Sequence, residues 1–64
     1  MIFTLQVGGF IYYLKGKKQA LDTIEAIGGG PDALMWKGKL DKPTDFYPDF
    51  ALEMGPKGLS WVEC

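Results

Sequence analysis

Histidine and arginine are absent from this 64-residue chain, and serine and cysteine occur once each, as Ser60 and Cys64. Acid–base work near neutral pH falls most often to histidine, and a serine or cysteine nucleophile needs a base beside it. With no histidine in the chain, neither Ser60 nor Cys64 has the usual base, so the residue inventory points away from an enzyme. One cysteine permits no disulfide within the chain, which fits a reducing compartment, although a terminal thiol could still pair between chains. Charge of either sign in excess is missing as well. Seven lysines against eight carboxylates give a formal net charge of −1, without the basic excess of a dedicated phosphate-backbone binder or the acidity of a DNA mimic.

Long apolar runs are also lacking. The stretch MIFTLQVGGFIYYL is shorter than the ~20 residues a helix needs to cross a bilayer. No positive charge precedes it and no small-residue cleavage site follows, while Thr4 and Gln6 fall at alternate positions, as in a strand. The expectation is a folded, cytoplasmic protein with no membrane contact and no cofactor.

What is present suffices for one small domain over residues 1–64. Apolar residues make up 47% and aromatics 14%, a globular composition. So short a chain buries only about 60% of its unfolded surface, so its core must be dense. Residues 2–7 and 10–15 flank Gly8-Gly9, a two-residue hairpin signal because both turn positions tolerate positive φ. That turn sets Val7 opposite Phe10, Leu5 opposite Tyr12 and Phe3 opposite Leu14, all on one face. Thr4, Gln6, Ile11 and Tyr13 take the other.

The period then changes. Ala20, Leu21, Ile24 and Ile27 recur at helical spacing between Lys17 and Ile27, with Asp22 and Glu25 opposite. Gly28-Gly29-Gly30 ends the helix and Pro31 prevents its resumption. A second short strand is expected over Leu34–Lys39, with Leu34 and Trp36 inward and Met35 and Lys37 outward. Pro43 and Pro48 exclude regular strand between them, and Phe46, Tyr47 and Phe50 are expected to fold back over an open end of the core. FALEMG (50–55) reads as a helical turn closed by Gly55, or as a strand paired with the chain's end across Gly-Pro-Lys-Gly. Leu59–Glu63 is the last strand, with Leu59 and Trp61 inward and Ser60 and Val62 outward.

Several stretches have a chemical reading to weigh. Asp41, Asp45 and Asp49 recur every four residues, but an EF-hand needs closer ligands, a mid-loop glycine and a closing glutamate. Solvated loop aspartates capping nearby amides account for them. The glycine triplet lacks the Gly-Lys-Ser/Thr of a phosphate loop and serves as a helix stop. Lysines interleaved with rings, namely Lys15, Lys17, Lys18, Lys37 and Lys39 around Tyr13, outline an alternative function as a small single-stranded nucleic-acid binder.

MIFTLQV, LDTIEAI (21–27), LMWKGKL (34–40) and GLSWV (58–62) resemble the first strand, helix opening, third strand and last strand of ubiquitin-like proteins. The resemblance implies an α+β β-grasp domain of order ββαββ, a mixed sheet packed on one helix with first and last strands parallel at its centre. The chain ends Trp-Val-Glu-Cys without the family's Gly-Gly tail, so conjugation and sulfur carriage are not implied. What carries over is a mode of binding. In that fold Ile11, Tyr13, Met35, Lys37, Ser60 and Val62 share the outer sheet face, a surface suited to another protein. The expected function is a non-catalytic binding module, of the inhibitor type that phages and mobile elements use to block a host protein. Homodimerisation through that face, or through the edge of the second strand, is a further expectation.

Overall fold

The computed structural model describes residues 1–28 and 32–64; Gly29, Gly30 and Pro31, part of the expected helix stop, lie outside the described residues. The hairpin forms as β1 (Phe3–Val7) and β2 (Phe10–Leu14), in the register expected of the Gly8-Gly9 turn. Gly8 supplies the positive φ, 58°, that such a turn needs. Helix α1 spans Lys17–Ile27 and ends on Gly28 in the left-handed conformation at φ 70°, where its N–H bonds the Glu25 carbonyl at 3.3 Å.

β3 (Leu34–Lys37) follows, then a single 3₁₀ turn at Pro43–Asp45, then β4 (Phe50–Gly55) and β5 (Gly58–Glu63). The five strands form one sheet in the order β2-β1-β3-β4-β5, and every neighbouring pair is antiparallel. This corrects the β-grasp expectation of a mixed ββαββ sheet. The central edge of β1 is taken by β3, not by the last strand, and β5 lies at the far edge. The physical cause is local. Residues 50–55 are a strand, not a helical turn, and only Pro56-Lys57 separate them from β5, so the two must form a hairpin. The pair then docks as a unit, with β4 inside and β5 outside.

Both β2 and β3 run antiparallel to β1, hence parallel to one another. A parallel return needs a crossover, and α1 provides it. The helix buries Ala20 and Ile24 against Leu5, Val7, Met35, Phe50 and Leu52. Phe3, Tyr12, Leu14, Leu21, Leu59 and Trp61 close the rim of this core, and the Trp61 indole N–H reaches the Lys17 carbonyl at 3.2 Å. Leu59 and Trp61 therefore face inward as expected. Phe50 is buried as a strand residue, whereas Phe46 and Tyr47, expected to cover the core, are exposed, Tyr47 by 97%.

The phase of β3 is the second correction. Met35 pairs with Leu5 and Phe50 on the helix side and is 0% exposed. Leu34 and Trp36 point to the opposite face, and Lys37 joins Met35 on the helix side. Trp36 is nonetheless only 2% exposed, because something else covers it.

Candidate functional site: the outer face of the sheet

The cover is the loop 38–49, which crosses the sheet face opposite the helix. Thr4 anchors it. The Oγ1 hydroxyl donates to the Gly38 carbonyl at 2.7 Å and accepts from the Leu40 N–H at 2.9 Å. The Tyr13 hydroxyl donates to the Leu40 carbonyl at 2.9 Å, and the Trp36 Nε1–H donates to the Phe46 carbonyl at 3.0 Å. The return is held by Asp49, whose Oδ2 accepts the Lys37 N–H at 2.7 Å. Pro43, within the loop, is itself buried. The loop thus roofs one cross-strand row, Tyr13–Thr4–Trp36.

The next row stays open. Ile11 pairs with Gln6, Gln6 with Leu34, Leu34 with Ala51, and Ala51 with Val62, one residue from each of the five strands. Ile11 is 42% and Val62 39% exposed, and the three between them are half-buried. Gln6 is the only polar member. Beyond this row Glu53 pairs with Ser60, both exposed. The surface is a band of apolar groups across the sheet, bounded by the loop on one side and polar groups on the other.

Four of the six residues expected to share this face do so: Ile11, Tyr13, Ser60 and Val62. Met35 and Lys37 do not, since the phase of β3 is reversed. Leu34 and Ala51 stand in the band instead. Ala51 was readable in principle, because Phe50, Leu52 and Met54 alternate with Ala51 and Glu53 as in a strand facing the core on one side. Leu34 was not, for Leu-Met-Trp is apolar at three successive positions.

The lysines divide between the faces. Lys39, in the loop, places its Nζ 5.1 Å from the centroid of the Tyr13 ring. Lys17 and Lys37 converge from the helix side on Phe50, at 4.2 and 5.7 Å, but that ring is only 2% exposed and cannot act as a stacking platform. Of the loop aspartates, Asp49 is bound to the backbone, and Asp41 and Asp45 are exposed. Among the described residues no three acidic or sulfur side chains gather as metal ligands, and no helix is long and apolar enough to cross a membrane. No protein-family model matches the chain, and neither a curated protein nor a solved structure matches it.

Proposed function

We propose that the chain is a non-catalytic protein-binding module that lays its outer sheet face across a working surface of another protein, as an inhibitor carried by a phage or other mobile element would. One observation carries the binding part of this reading, the open row Ile11–Gln6–Leu34–Ala51–Val62. An antiparallel sheet packed on one side ordinarily turns polar residues to water on the other. Here that alternation fails at four positions of five, in one straight line. An apolar row interrupted only by Gln6 and rimmed by polar groups has the character of an interface core. The rigid sheet beneath it costs little ordering entropy on binding.

The test is capture from a nuclease-treated lysate of the native host at moderate salt, with Val62→Glu and Glu25→Lys run in parallel. Val62 stands in the band, and Glu25 is exposed on the helix. A stoichiometric protein retained by the parent and Glu25→Lys, and lost by Val62→Glu, supports the reading. Equal retention by Val62→Glu refutes it. Recovery that disappears with nuclease, or falls steeply with salt, transfers the function to the lysines and the nucleic-acid reading.

A further inference from the structure

β2 is an edge strand without the usual defences. Natural sheets protect an edge with charge, proline, a bulge or a covering segment. Phe10-Ile11-Tyr12-Tyr13-Leu14 contains no charge, proline or glycine, and among the described residues nothing pairs with its outer side. Phe10 is 67% exposed, and Ile11 and Tyr13 are each 42% exposed. An uncharged segment of such high β-propensity is one that pairs with its own kind. The opposite edge, β5, ends in Glu63 and offers a less permissive surface for self-pairing.

The hydrogen-bond phase specifies the pairing. The Gly38 N–H bonds the Ile2 carbonyl at 2.7 Å, so the even-numbered residues of β1 bond towards β3 and its odd-numbered residues towards β2. Phe10, Tyr12 and Leu14, which sit opposite Val7, Leu5 and Phe3, therefore spend their backbone groups within the hairpin. Ile11, Tyr13 and Lys15 turn theirs to the edge, and the Lys15 N–H is already taken by Gln19 Oε1 at 2.9 Å. Two residues remain with both N–H and C=O free for a neighbour.

We propose that β2 pairs with β2 of a second copy, antiparallel about a twofold axis at Tyr12, joining two sheets into one. In this register Ile11 exchanges both hydrogen bonds with the partner's Tyr13, and Tyr13 with the partner's Ile11. Each contact is a β-branched–aromatic cross-strand pair. On the helix side Phe10 meets the partner's Leu14. Lys15 falls opposite the partner's Gly9, so no like charges face each other across the axis. The contact is isologous and closes at two copies. It stands apart from the binding reading above, because Leu34, Ala51 and Val62 stay open in the dimer.

The test uses the full chain carrying Cys64→Ser, which removes disulfide crosslinks as a source of dimers. Sedimentation equilibrium should show a concentration-dependent rise towards twice the 7.1 kDa chain mass, with exchange slowed at the Ile11 and Tyr13 amides. Ile11→Pro deletes an edge-facing N–H and no hairpin bond, and should leave a monomer. Should that variant fail to fold, Ile11→Lys with Tyr13→Lys sets like charges opposite each other and should also be monomeric. Ile11→Lys with Tyr13→Glu should restore the dimer, since both double variants lose the same Tyr13 hydroxyl bond. A constant monomer mass in the Cys64→Ser chain overturns the proposal. So does a dimer whose slowed amides are Leu59 and Trp61 of β5, or one that survives the lysine pair.

Discussion

Replacing Thr4 by valine isolates what holds the loop to the sheet. Thr4 is fully buried, and valine has nearly its shape, so packing is conserved while the hydroxyl is lost. Two partners lose their bond at once, the Gly38 carbonyl and the Leu40 N–H. A buried polar group left unpaired costs about 1–3 kcal/mol. Gly38 and Leu40 are half-buried, so water recovers part of this, and the expected loss is about 2–3 kcal/mol for the pair. A chain of this length has only about 3–10 kcal/mol of stability in all, and its melting temperature should fall by roughly 10–20 °C. Urea unfolding followed by circular dichroism measures the first number. Amide exchange at Leu40 locates the damage, and should accelerate more than that of the hairpin. Thr4→Ser, which keeps the hydroxyl, should retain the slow Leu40 amide. A loss under ~0.5 kcal/mol, within the range of neutral surface changes, with Leu40 exchange unaltered, would refute the reasoning. The loop would then be held by its other bonds, those of Tyr13, Trp36 and Asp49, and by packing.

Other substitutions probe the remaining assignments. Met35→Glu places a carboxylate in the centre of the core and should leave the chain unfolded by circular dichroism, whereas Val62→Glu should change stability by no more than ~0.5 kcal/mol. A folded Met35→Glu protein would reverse the phase of β3. Gly28→Ala meets nothing within 4 Å of the added carbon, so its cost is the left-handed backbone alone, about 1 kcal/mol by denaturant titration. Trp36→Phe removes the Nε1–H bond to Phe46, and the orphaned carbonyl should cost about 1–2 kcal/mol.

The resemblance to ubiquitin-like proteins rested on short stretches, which lie here on β1, α1, β3 and β5. Local likeness of that kind constrains the elements but not their neighbours. A strand states which residues it turns to each side, yet its hydrogen-bonding edges carry no side-chain label saying which strand will sit there. Leu34-Met35-Trp36 shows the related difficulty within one strand. Both sides of β3 are covered, one by the helix and the other by the loop, so both sides are apolar and the alternation that would reveal the phase is erased. The candidate site inherited that ambiguity. Ile11, Tyr13, Ser60 and Val62 lie on strands with at least one solvent-facing side, where period alone suffices to place them, whereas Met35 and Leu34 take opposite sides to those their pattern suggests.

The sequence by itself determined what depends on neighbours a few residues apart. Gly8-Gly9 allows one tight turn and one hairpin register. The 3.6-residue recurrence from Ala20 to Ile27, stopped by Gly28, allows one helix with one buried stripe. Tertiary structure decided everything that depends on which surfaces meet. These are the docking of β3 against β1, the choice of strand over helical turn at residues 50–55, and the folding of the loop over Trp36. Each of these exchanges one partner for another of similar apolar character, so the pattern of side chains is nearly indifferent to the outcome. The choice is settled by closing the whole sheet around one helix, with Thr4, Tyr13 and Trp36 finding hydrogen-bond partners that lie in one distant loop.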